Sequence, residues 1–219
     1  HTNATLKYIE LDSEGRITVE AFKKVLSNKT KVVVLTHISN VMGYITPIKE
    51  IIELAHSVGA VVVVDAAQSV PHMKIDVKEL DCDFLAFSAH KMFGPTGFGI
   101  LYGKYKHLKN MRPIEYGGDM IDEVYKDSST YKDAPFRFET GTPPIAEAIA
   151  FKEAIKYIES INAAGVPVVA TTMWINYLWT ICFAVLSVIS LYKLIKPDAP
   201  RMEGGNFGLA LLAIPLYAT

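Results

Sequence analysis

Two runs of β-branched residues, KVVVLT at 31–36 and AVVVVD at 60–65, constrain the fold of this chain more than any other feature. Both are apolar throughout rather than alternating, the pattern expected where both faces of a parallel sheet are covered. Between them, Ile48, Ile51, Ile52 and Ala55 recur at helical spacing within residues 47–57. Pro47 suits a first helical turn and Gly59 a C-terminal cap. Two parallel strands need such a crossover, so the segment predicts a β-α-β unit. Further strands are predicted at 84–88 (FLAFS) and 98–102 (FGILY). The fold class that follows is α/β, a mostly parallel sheet with helices on both faces.

Beyond residue 103 the pattern loosens. Residues 105–138 are polar and Tyr-rich, and predict mostly loop with one short helix. Helical periodicity returns over 144–161, with Ala148, Phe151, Ile155 and Ile158 on one stripe and prolines at its start. Composition then changes abruptly, since no charged residue occurs from 173 to 192. Trp174, Tyr177, Trp179 and Tyr192 lie near the ends of that span, and Lys193 and Lys196 follow it. This predicts a membrane helix over 173–195, and membrane association through it. A second apolar run, 207–219, is too short to span. The division predicted is therefore 1–161 and an apolar, helical, transmembrane-like tail at 162–219. That tail reads either as a real anchor or as a foreign piece joined near residue 161. Its length and aromatic flanks fit a buried core helix less well.

Charge excludes one class of partner. Lys and Arg number 22 against 23 Asp and Glu, a formal net charge of −1, and no basic stripe runs along the first 160 residues. Nucleic acid is not an expected partner. The two cysteines, Cys82 and Cys182, stand far apart with no zinc-type spacing, so neither a metal site nor a disulfide is expected, and a reducing compartment fits.

Chemistry is concentrated where predicted strands end. Asp65 closes a buried run, at the carboxyl edge where open α/β sheets bind ligands. As an alternative it is a cap or turn residue. Gln68 follows in DAAQ, and Ser88, His90 and Lys91 follow the next strand in SAHKMFGPTG. A lysine brought into a closed site has its amine pKa lowered, which makes it a nucleophile and a base. Alone, Lys91 reads equally as a surface lysine. The adjacency of two strand ends puts an acid, an amide, a hydroxyl, an imidazole and an amine on one edge.

These stretches, together with THISNVMG (36–43), VVVVDAAQSVPH (61–72), DFLAFSAHKMFGPTGFGILYG (83–103) and RFETGTP (137–143), resemble the class V aminotransferase family, specifically its SufS- and CsdA-like cysteine desulfurases and selenocysteine lyases. The resemblance covers residues 1–161 and implies part of the large domain of a fold type I pyridoxal-phosphate (PLP) enzyme. It implies that Lys91 is catalytic and forms the internal aldimine, and that Asp65 pairs with the pyridinium nitrogen. Gln68 and Asn40 would contact the phenolic-oxygen side, Ser88 and His90 the phosphate, and Thr142 the phosphate of a neighbouring subunit in a homodimer. Asn40 and Thr142 also fit turn formers, Ser88 a strand end and His90 a loop histidine. His37 and His72 receive no role beyond structure, and Cys82 reads as a small buried thiol.

The reaction implied converts L-cysteine or L-selenocysteine to alanine and passes sulfur, as a persulfide, toward an acceptor protein and iron–sulfur cluster assembly, in the cytoplasm. The family's sulfur-attacking cysteine and its substrate-carboxylate arginine belong to a C-terminal small domain that finds no counterpart here, so these residues are expected to be a fragment, inactive alone. Another class V enzyme, an aminotransferase or kynureninase-like hydrolase, would share the Asp65 and Lys91 logic. A non-catalytic, membrane-anchored protein retaining the fragment is the reading from a different class.

Overall fold

A computed structural model describes residues 3–163. Helix α1 (Val19–Val25) leads into strand β1 (Val32–Thr36), helix α2 (Ile48–Ser57) and strand β2 (Val61–Asp65). A short helix α3 (Val77–Leu80), strand β3 (Phe84–Ser88), a 3-10 turn (Ala89–Met92) and strand β4 (Gly99–Gly103) follow. Then come α4 (Tyr105–Leu108), a hairpin of β5 (Ile121–Val124) and β6 (Ser129–Tyr131), a 3-10 turn (Phe136–Phe138) and α5 (Ile145–Ala163).

The main sheet has the order β1-β2-β3-β4, with the first three strands parallel and β4 antiparallel to β3. Register pairs Thr36 with Asp65, and Asp65 with Ala86, so the carboxyl ends of three strands lie side by side. Helix α2 crosses between β1 and β2 as its periodicity predicts, and buries Ile48, Ile51, Ile52 and Ala55 against Val33, Leu35, Val62, Val64 and Leu85. Each buried Ile contributes roughly 1.5–3 kcal/mol of transfer free energy. Gly59 ends the crossover at φ +75°, a left-handed conformation that lets Gly59 and Ala60 return their N–H groups to the last turn of α2.

Helices on both faces were expected, and among the described residues the second face is covered only in part, at Phe84, which packs beside His107 of α4. Burial in β1 alternates, with Val33 and Leu35 covered by helices while Val32 and Val34 stand 57% and 67% exposed on the opposite face. Leu101 of β4 shares that open face by register and is 62% exposed. An apolar run of β-branched residues thus marked strand formation, but did not report how many layers cover it here. The stretch 105–138 also departs from the expected loop, because IDEV and STY pair as β5 and β6. Neither IDEV nor STY alternates apolar with polar residues, so no local pattern announces the pair on either side of the polar YKDS turn. Among the described residues no helix is long and apolar enough to cross a membrane. The predicted span 173–195 and the run 207–219 lie outside the described residues.

Candidate functional site

Ladder hydrogen bonds continue past the strand ends. The His37 N–H donates to the Asp65 carbonyl at 2.9 Å, and the Ala66 N–H to the Ala86 carbonyl at 2.8 Å. Asp65 is thereby fixed between β1 and β3, with its side chain exposed at the edge. Its Oδ1 accepts from the Ala67 N–H at 2.9 Å, an Asx turn that swings the chain off the sheet. Ala66 and Ser69 then turn inward, fully buried, which leaves Gln68 half-buried beside the edge.

Lys91 is presented by a different device. The 3-10 turn Ala89–Met92 has three residues per turn, so Ala89 and Met92 share one face. Both are buried against Phe151 and Ala154 of α5, with Phe87 and Phe98 alongside. His90 therefore faces out exposed, and Lys91 is half-buried. The turn closes at Phe93, in left-handed conformation (φ 59°), while the Gly94 N–H donates back to the Ala89 carbonyl at 2.9 Å. A Cβ on Gly94 would stand 2.8 Å from both that carbonyl and the Phe151 ring, so glycine is required for α5 to press on the turn. Ser88 precedes the turn in extended conformation, and its hydroxyl does not cap it.

Asn40 is exposed in a loop that leaves the same edge after His37 and returns through the Ile38–Ile45 bridge. Ser39 Oγ accepts the Val41 and Met42 N–H groups and shapes that loop. Thr142 lies apart, exposed in the loop before α5, which Gly141 fastens by donating its N–H to the Gly118 carbonyl. No hydrogen bond among the described residues ties Thr142 to the edge that carries Asp65 and Lys91. Side chains of Asn40, Gln68, Ser88, His90, Lys91 and Thr142 make no hydrogen bond or ion pair among the described residues.

The opposite edge of the sheet shows the reverse condition, one that sequence reasoning missed. Asp83, 2% exposed, accepts from the Val62 N–H at 2.9 Å, and its two oxygens meet His56 Nε2 at 2.8 Å and His107 Nε2 at 2.9 Å. Lys104 Nζ stands 3.2 Å from Asp83 and 2.6 Å from Asp81. Burial pushes the Asp83 carboxyl up, but the Val62 N–H, the two histidines and Lys104 outweigh it and hold the group well below the usual carboxylate range. Its partners come from positions 56, 62, 104 and 107, so no local motif announces the cluster. Cys82 beside it is fully buried, and burial pushes its thiol up. A group of three or more His, Cys, Asp or Glu side chains fit for a metal is absent among the described residues.

A sheet whose three parallel strands bring a lysine, a carboxylate and several polar side chains to one carboxyl edge belongs to the α/β class, which binds ligands at such edges. The aminotransferase class-V family model matches residues 1–175, and the chain belongs to that family of PLP-dependent enzymes. It is 56% identical over 161 residues to a probable cysteine desulfurase of Halalkalibacterium halodurans, covering 74% of this chain and 40% of that protein. A cysteine desulfurase of Haloferax volcanii is 46% identical over 165 residues, 75% of this chain and 39% of its own length. The chain thus spans about two fifths of the curated relatives it matches. Among solved structures, the Escherichia coli cysteine desulfurase CsdA superposes with a TM-score of 0.68 at 36% identity, over 82% of this chain and 44% of that one. A Thermococcus onnurineus cysteine desulfurase gives 0.67 at 41% identity, over 71% and 39%.

Proposed function

We propose that this chain carries the cofactor-holding part of a PLP-dependent cysteine desulfurase or selenocysteine lyase, with residues 1–161 as part of its large domain and 162–219 as a separate tail. The observation that carries the reading is the contrast between the two sheet edges. At the amino edge a buried carboxylate is met by four partners, His56, Val62, Lys104 and His107, whereas at the carboxyl edge, among the described residues, the side chains of Gln68, Ser88, His90 and Lys91 have no partner and Asp65 uses only one oxygen, for Ala67. Polar groups gathered on an edge without partners suit a polar ligand. The donor set fits PLP: an amine for covalent attachment, a carboxylate for the ring nitrogen, and hydroxyl and imidazole for phosphate.

In this reading Lys91 holds the cofactor and moves the proton at the substrate Cα, and Asp65 keeps the ring nitrogen protonated. Gln68 and Asn40 take the phenolic-oxygen side, and Ser88 and His90 orient the phosphate. Thr142 reaches the phosphate of a neighbouring subunit, which makes the working form a homodimer. PLP, when bound, supplies an electron sink for the carbanion at that carbon. The substrate is L-cysteine or L-selenocysteine, supported by relatives named as desulfurases, and the sulfur leaves toward an acceptor protein for iron–sulfur cluster assembly in the cytoplasm.

Adding PLP to the purified chain is expected to produce a visible absorption band that Lys91→Ala lacks. No band in the parent chain, or an equal band in the variant, would sink the cofactor assignment. Cys82 is buried and its thiol is pushed up, so it is not the sulfur acceptor. Alanine release from cysteine is expected to be undetectable with the 219-residue chain alone, and turnover comparable to a complete desulfurase would refute that.

A further inference from the structure

His37 and Thr46 lie inside a stretch matched to the family yet have no place in the reading above. Both are buried, at 6% and 2% exposure, and among the described residues His37 Nδ1 and Thr46 Oγ1 have no hydrogen-bond partner. Such groups cost about 1–3 kcal/mol each when left unpaired, so a partner is the ordinary expectation. Both side chains line a groove of ≈ 280 Å³ between the start of α2 and residues 73–80, near the lower end of the ligand-pocket range of about 300 Å³ upward. None of Asn40, Asp65, Gln68, Ser88, His90, Lys91 or Thr142 borders it.

The same groove contains the amino end of α2, a helix of ten residues. Pro47 occupies the cap position and offers no side-chain bond. Of the first-turn amides, Ile48 donates to the Thr46 carbonyl and Ile51 to the Pro47 carbonyl. The N–H groups of Lys49 and Glu50 are left without an acceptor among the described residues, at the positive end of the helix dipole. Unpaired amides, a buried hydroxyl and a buried imidazole thus surround one space. Burial lowers the His37 pKa and so favours the neutral ring, in which Nδ1 is able to donate or to accept a hydrogen bond.

The rim limits the charge of the occupant. Lys49 and Lys74 border the groove, but so do Glu50, Asp76 and Glu79. Asp76 already accepts the Lys78 and Glu79 N–H groups, and Glu79 stands 3.7 Å from Lys49. Three carboxylates against two ammonium groups disfavour a dianion. Pro47, Ile48, Met73, Ile75 and Leu80 form an apolar wall beside the donors. We propose that this groove binds a small monocarboxylate with an apolar body, its carboxylate seated on the Lys49 and Glu50 amides and the Thr46 hydroxyl, and its body against Ile48, Met73 and Leu80. The proposal is independent of the cofactor assignment at Lys91.

Titrating hexanoate into the full chain, followed by amide NMR, is the test. Saturable shifts of the Lys49 and Glu50 amides are expected, with hexanol and inorganic phosphate producing none. Thr46→Val should weaken hexanoate binding about tenfold, the loss of one hydrogen bond to a charged group. Lys74→Met, at an exposed side chain that cannot disturb the core, should weaken it about threefold, in line with an exposed charge contact. Absence of saturable shifts at those two amides overturns the proposal. So does hexanoate binding that neither substitution changes, or phosphate binding as tight as hexanoate.

Discussion

Asp65 accepts one hydrogen bond, from the Ala67 N–H, and its second oxygen has no partner among the described residues. The turn role and the cofactor role are therefore compatible, since one oxygen shapes the chain and the other remains to meet a ring nitrogen. Asp65→Asn keeps the Ala67 bond but loses the charge. It is expected to weaken PLP binding about tenfold or more, the size of a charge-assisted hydrogen bond, with unfolding in urea nearly unchanged because the side chain is exposed. Equal PLP affinity in the two proteins, read by absorbance titration, would remove Asp65 from the site. Lys91 differs in kind, because its position depends on neighbours that turn inward.

At the scale of elements, the 3-10 turn after β3 and helix α5 act as one part. Ala89 and Met92 bury against Phe151 and Ala154, and the ring of Phe151 lies 5.7 Å from Phe98 and 6.5 Å from Phe87. Residues distant in sequence thus hold the turn that carries His90 and Lys91. Gly94 is where this packing is tightest. Gly94→Ala would place a methyl 2.8 Å from the Ala89 carbonyl and the Phe151 ring, so the turn or the helix must shift. A cost of about 1–3 kcal/mol is expected from overpacking, measured by urea denaturation. The Lys91-dependent PLP band should fall with it even under conditions where the variant remains folded. An undiminished band would mean that α5 does not position the lysine.

Across the described residues, the two edges of the sheet differ in how their polar side chains are paired. Asp83 fastens α2, β2, the end of β4 and α4 to the amino edge, through His56, Val62, Lys104 and His107. Removing the carboxylate leaves the buried Val62 N–H and the partly buried His56, Lys104 and His107 without their acceptor, and Asp83→Ala is expected to lose about 3 kcal/mol, the lower end for a broken buried pair. Its pH signature has a definite sign. The folded-state pKa is depressed, so the stabilisation is present above the unfolded carboxylate value of about 4 and is lost as pH falls from there toward the folded value. His37 acts in the same sense at higher pH. Its lowered pKa means that the unfolded chain binds the proton first as pH drops below about 6.5. Urea midpoints should therefore decline on acidification, and the decline below pH 5 should be shallower in Asp83→Ala. A parallel decline in both proteins would show that Asp83 carries no linkage.

The sequence by itself determined the four main strands, the α2 crossover and the long helix α5, because these rest on local periodicity that a chain displays before it folds. It also put Asp65, Gln68, Ser88, His90 and Lys91 on one edge, since adjacent parallel strands bring their carboxyl ends together whatever lies around them. Tertiary structure decided the rest. The β5–β6 hairpin was hidden in a polar segment, and the open face of β1 could not be read from a run of valines that looks alike whether one face is covered or two. The Asp83 cluster joins His56, Lys104 and His107 across 51 positions of sequence. Its physical reason is that charge pairing in a buried place depends on distances between strand ends and helix ends, and only the packed chain sets those distances.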